Sequence, residues 1–162
     1  MIAKGQWSDY ENGKKREYGE FMRRAREFVD AGEAPWEANP ANRGRDIKPK
    51  LLLRRALLKS GMFGFRVNYR IGTTHVDVAF PSKWAAVEVR GCYWHRCPVC
   101  KLGLPKTDTD FWERKFALNV ERDARARESL IGGGWTPLEF WEHELDEALP
   151  GCVERVRRAL YP

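Results

Sequence analysis

A chain of 162 residues suits one compact domain and leaves little room for a second independent core. With 43% hydrophobic residues and seven tryptophans it can bury a real core, which excludes wholesale disorder. No apolar run approaches the ~18 residues of a membrane span, and Met1 to Tyr10 lacks the apolar stretch of a secretory signal, so a cytoplasmic protein without a membrane partner is expected. The formal charge of +6 is unevenly spread: Arg43, Arg45, Lys48, Lys50, Arg54, Arg55 and Lys59 stand against Asp46 alone, whereas residues 104–150 are strongly acidic. A merely solvated surface would mix the signs, so one basic face and a polyanionic partner are expected.

Phe21, Ala25, Phe28 and Val29 recur at helical spacing in Tyr18–Asp30, and Ala31–Asn42, with Pro35 and Pro40, reads as a linker or wrapped loop. Residues 1–42 are therefore an N-terminal extension, and 43–162 the main domain. Pro49 opens a helix over Lys50–Ser60 that Gly61 ends. Gly64–Tyr69, His75–Phe80 and Trp84–Val89 are short β-rich runs broken by Gly72 and Pro81-Ser82. Asp108–Leu130 predicts a long helix, capped by Asp108 or Thr109 and stopped by Gly132-Gly133-Gly134. Thr136–Trp141 is a further strand and Gly151–Leu160 a closing basic helix. This order implies an α/β or mixed α+β fold, a mostly β sheet flanked by helices.

Cys92, Cys97 and Cys100 follow a strand as C-x4-C-x2-C, and a loop with so little core of its own is expected to be ordered by a tetrahedral zinc. His95, His143 and Cys152 compete for the fourth place. His95 would crowd the chelate, whereas His143, just beyond a strand, is a rigid donor, so Cys92, Cys97, Cys100 and His143 are the expected set. Asp77 stands mid-strand, where an acid is a poor β-former, and Glu88-Val89-Arg90 ends the next run. That is the skeleton of a D…ExK nuclease site, in which carboxylates hold Mg²⁺ against the scissile phosphate and the basic group offsets developing charge. A surface acid and an edge ion pair would account for the same residues.

The motifs GCYWHRCPVC from Gly91, DTDFWERK at 108–115, NVERD at 119–123, GGGW at 132–135 and LEFWEHEL at 138–145 decide between them. Together with RGRDIKPKLLLRRALLKSG at 43–61 and DVAFP at 77–81, they resemble the very short patch repair (Vsr) endonuclease family over about residues 43–145. The resemblance implies a restriction-endonuclease-like fold with a structural zinc loop, and a Mg²⁺-dependent endonuclease that nicks one strand of double-stranded DNA. It implies 5′-phosphate and 3′-hydroxyl ends, action at T·G mismatches or specific sites, and repair-pathway or methyltransferase-associated proteins as partners. Asp77 matches the metal-binding aspartate and Val89 the residue that offers a backbone carbonyl to the ions. His95 matches the general base and Asp123 the acid that orients it. Cys92, Cys97, Cys100 and His143 match the zinc ligands, while Tyr93, Trp94 and Trp112 match aromatics that wedge into the DNA stack. Arg43, Arg45, Arg54 and Arg55 of the leading basic segment are the expected phosphate contacts.

Three positions depart from the pattern. Lys50 replaces a glutamate that reaches the metal through water, Arg90 replaces an acid or histidine, and Glu88 replaces a hydrophobic residue. Glu88 as a third carboxylate and Arg90 as the basic group would move the site toward the ordinary D…ExK arrangement. The alternative is a zinc-containing DNA-binding module whose chemistry is weakened.

Overall fold

A computed structural model describes residues 48–162. The expected helix Tyr18–Asp30, the linker, and Arg43 and Arg45 lie outside the described residues. Helix α1 (Lys48–Lys59) carries Pro49 in its first turn, where the missing N–H would have had no helical partner, and buries Leu53, Leu57 and Leu58 on one face. The three β-rich runs form β1 (Arg66–Ile71), β2 (Thr74–Phe80) and β3 (Ala85–Arg90). Gly72, at φ +59, makes the tight turn between β1 and β2. After a loop comes α2 (Thr109–Gly132), preceded by Asp108 at φ +52 with no capping bond from its side chain. Gly134, at φ +82, then closes the helix end, and the Trp135 N–H donates to the Leu130 carbonyl at 2.9 Å. Strand β4 (Thr136–Trp141) matches the expected span residue for residue.

The last helix corrects its expectation. It runs as α3 over Glu142–Leu160, nine residues earlier than Gly151, with a kink at Ala148 (φ −139, ψ 39) ahead of Pro150. Pro150 cannot supply an N–H to the helical ladder, so the chain bends there and resumes instead of stopping. Both halves stay on the core because Leu145, Cys152, Val153, Val156 and Leu160 are all buried. At the start of α3, the Trp141 N–H donates to Glu144 Oε2 at 2.8 Å.

The sheet order is β1-β2-β3-β4, antiparallel up to β3 and parallel between β3 and β4, where α2 makes the crossover. Val78, Phe80, Val87, Val89 and Phe140 join Leu53, Leu57, Leu145 and Val156 in the main core, on the face covered by α1 and α3. On the other face Ala79, Ala86 and Val76 pack with Leu130 and Trp135 at the end of α2. Fully burying each large aliphatic side chain is worth about 1.5–3 kcal/mol. Val76 and Val78 are two residues apart yet enter different clusters, so β2 turns over at Asp77. There the β1–β2 pairing skips Asn68, at φ +48, and the β2–β3 pairing ends at Val78↔Val87. Among the described residues no helix is long and apolar enough to cross a membrane.

Candidate active site

The irregularity in β2 presents Asp77. Where the β2–β3 ladder stops, its carboxylate takes over as acceptor, and the Val89 N–H donates to Oδ2 at 2.7 Å. Its other oxygen, Oδ1, pairs with Lys50 Nζ from the first turn of α1 at 2.6 Å. Arg54, one turn further along α1, donates to the Asp77 carbonyl at 3.2 Å and to Asn68 Oδ1 at 3.3 Å. It is completely buried, which overturns its expected role as a phosphate contact. Its guanidinium instead braces the backbone that carries the aspartate. Arg55, the neighbouring expected contact, is exposed.

On β3 the two-residue period sends Ala85, Val87 and Val89 to the main core, and Glu88 and Arg90 to the side of α2. Glu88 stands in register with Glu139 of β4, and like charges directly opposite repel. Arg90 answers both, with Nη2 at 2.9 Å from Glu139 and 3.4 Å from Glu88, and Arg127 of α2 adds a second ion pair to Glu139 at 3.5 Å. Burial pushes the Glu88 carboxyl above its ordinary range, and Arg90 pulls it only part of the way back.

Past β3, His95 meets Asp123 of α2, with Nδ1 and Oδ2 2.5 Å apart. A carboxylate on Nδ1 fixes the tautomer with the proton there and leaves Nε2 as an acceptor. Asn119, one turn before Asp123, donates to the Trp94 carbonyl at 3.1 Å and fastens the same loop to α2. Asp77, Glu88, Val89, Arg90, His95 and Asp123 all line one cleft of about 540 Å³, together with Lys50. The cleft also takes in residues that sequence reasoning missed: Arg122, Arg125 and Ser129 from α2, and Thr73, Thr74 and His75 beside the β1–β2 turn. Arg122, Arg125 and Ser129 follow a helical period that could have been read, but the acidic average of residues 104–150 hides it.

Beside the cleft, the structure brings Cys92, Cys97, Cys100 and His143 together. Their ligand atoms lie within 4.8 Å of one another, and His143 Nδ1 is 3.2, 3.6 and 3.4 Å from the three sulfurs. Tetrahedral zinc, with bonds of ~2.3 Å to sulfur and ~2.0 Å to nitrogen, asks for ligand atoms roughly 3.5–3.8 Å apart, so the set fits one ion. Burial, then the neighbouring sulfurs, pushes the Cys100 thiol up to about 12. The Cys97 thiol falls below its ordinary value: burial opposes the thiolate, but hydrogen bonds led by the backbone at Cys100 and Val99 outweigh it. Three thiolates this close need a cation to coexist. Cys152 is elsewhere, in the core with Sγ against the Glu144 carbonyl, and His95 faces Asp123, so neither is in the cluster. His143 sits in the first turn of α3 rather than on a free strand end.

The expected wedge residues form one aromatic group. Tyr93 and Trp94 meet edge-on at 5.2 Å, and Trp94 lies 6.1 Å from Trp112. Buried Phe116 supports all three. Trp94 is 48% exposed and Phe111, which the sequence did not single out, 53%, whereas Tyr93 and Trp112 are half-buried. Lys115 Nζ lies 5.0 Å from the Trp112 ring, at the edge of this platform.

Carboxylates on β2 and β3 facing an imidazole held by a second acid can polarise a water against a bound phosphodiester, the chemistry of the nucleases. Sequence comparison agrees. The Type II nicking enzyme V.NaeI of Lentzea aerocolonigenes is 38% identical over 120 residues, 70% of this chain and 71% of that protein. The DNA mismatch endonuclease Vsr of Escherichia coli (strain K12) is 33% identical over 106 residues, 61% of this chain and 68% of that one. The chain belongs to this family of Vsr-type DNA endonucleases. No model of a known protein family matches it. Among solved structures, the catalytic domain of the homing endonuclease I-Bth0305I aligns with a TM-score of 0.49 at 17% identity, covering 70% of this chain and 94% of that one.

Proposed function

We propose that this protein is a strand-nicking DNA endonuclease that hydrolyses one phosphodiester to a 5′-phosphate and a 3′-hydroxyl. The observation that carries the reading is the placement of Asp77 and the His95–Asp123 pair in one cleft. His95 Nε2 takes a proton from water as the water oxygen bonds to phosphorus and the bond to the 3′ oxygen breaks, and the departing 3′ oxygen takes a proton from solvent to become the hydroxyl. Asp123 holds the ring in the tautomer this needs and stabilises the imidazolium that forms. Asp77, Glu88 and the Val89 carbonyl are hard oxygen donors of the kind Mg²⁺ prefers, and they would hold it. A bound Mg²⁺ supplies Lewis-acid charge for the phosphate oxygens. Cys92, Cys97, Cys100 and His143 hold a structural zinc that ties the loop bearing His95 to α3.

The substrate is double-stranded DNA, presented at a distorted step where Trp94 and Phe111 meet the base stack. Arg55, Arg122 and Arg125 hold the backbone. T·G mismatches and fixed sites both satisfy this description.

Incubating supercoiled plasmid and T·G-containing duplex with the protein and Mg²⁺ or Mn²⁺ tests the reading. The expected product is open circular DNA whose nicks a ligase seals without prior phosphorylation. Binding with no cleavage under every metal condition would favour the weakened DNA-binding module, the reading that Lys50 against Asp77 supports.

A further inference from the structure

Arg90 stands where a D…ExK site would carry its basic residue, but its guanidinium is committed to Glu139 and Glu88. Removing it would leave two carboxylates in register with only Arg127, 3.5 Å from Glu139, to offset them. Arg90 is therefore a counter-ion within the sheet. Lys50 is placed differently: its ammonium enters the same cleft as His95, its side chain is 20% exposed, and it rests on Asp77 Oδ1 at 2.6 Å.

We propose that Lys50 is a further active-site residue, a tethered cation that covers Asp77 in the DNA-free protein and turns to the scissile phosphate when DNA enters. The inference rests on the nuclease reading for its substrate. An ammonium on four methylenes is a compact charge on a flexible stem, so it can exchange a carboxylate oxygen for a phosphate oxygen without moving α1. In the free protein, Lys50 and a divalent cation compete for one carboxylate. A unit charge about 4 Å from a dication weakens its binding by roughly tenfold or more even under water-like screening. Once phosphate takes the ammonium away, Asp77 is open to the metal and the phosphate has gained a cation. Metal occupancy thereby becomes coupled to DNA binding.

The test is a Mn²⁺ titration of the zinc-loaded, full-length, DNA-free protein by electron paramagnetic resonance, with single-turnover nicking alongside. Lys50→Gln is expected to bind Mn²⁺ at least about tenfold more tightly than wild type. Lys50→Arg, which keeps the charge, should stay weak, and adding Asp77→Asn to Lys50→Gln should remove the gain. At saturating DNA and metal, Lys50→Gln should nick about a hundredfold more slowly. Unchanged Mn²⁺ affinity in Lys50→Gln, with its thermal melt as folded as wild type, overturns the proposal, and so does nicking at the wild-type rate. A wild-type protein that cuts no DNA overturns the nuclease reading instead, and the Mn²⁺ titration still decides whether Lys50 guards Asp77.

Discussion

Asp77 owes its position to three neighbours from two elements: Val89 N–H on β3, Lys50 on α1, and Arg54, which reaches its backbone from one turn further along α1. Arg54 and Arg55 are indistinguishable by composition, and both read as phosphate contacts. Their helical phase separates them, because position 54 belongs to the stripe formed with Leu53, Leu57 and Leu58, so the burial of Arg54 was legible in the spacing. Replacing Arg54 with Met should cost about 2–4 kcal/mol in urea unfolding, since two acceptors lose a charged donor. Arg55→Met should stay within about 0.5 kcal/mol of wild type in the same measurement, while lowering DNA affinity and its salt dependence. For His95, whose role was legible only through resemblance, His95→Ala should slow single-turnover nicking by about 10²–10⁴-fold and leave DNA binding in place.

The segment after β3 does two jobs at once. Cys92 and Cys97 bracket His95, and the turn is closed by His95 N–H to the Gly91 carbonyl and Cys97 N–H to the Cys92 carbonyl. A zinc held by this loop would therefore also aim the imidazole. The three cysteines announce themselves by local spacing, whereas His143 lies 43 residues beyond Cys100. Only the β3–α2–β4 crossover brings it back beside them. Zinc-depleted protein should retain most of its DNA affinity and lose nicking, and elemental analysis should find one zinc per chain in protein purified without added metal. His143→Ala should lower that stoichiometry, and Cys152→Ser should leave it unchanged. The strands were legible because β-branched runs sit between clear turn residues. The onset of α3 was not, because Pro150-Gly151 reads as a helix boundary while the buried Leu145 and Cys152 continue one face across the kink.

Taken together, the described residues present a charged cleft beside an aromatic platform. Segment charge pointed to the basic stretch before β1, but the cleft itself is flanked by Arg122 and Arg125 from the most acidic part of the chain. Charge summed over a segment cannot show which side of a helix carries it. The platform predicts selectivity for distorted DNA: Trp94→Ala and Phe111→Ala should each weaken binding to a T·G-mismatched duplex by about 1–3 kcal/mol, and binding to the perfect duplex by less, in competition titrations. Equal losses on the two duplexes would assign those rings to packing. In the proposed nuclease, Asp77 is the centre of the cutting site. Nicking of supercoiled DNA by wild type and Asp77→Asn, in Mg²⁺ and in Mn²⁺, tests this most directly. Wild type should convert the plasmid to open circles and Asp77→Asn should bind it uncut, whereas an Asp77→Asn protein that nicks at the wild-type rate would contradict the account.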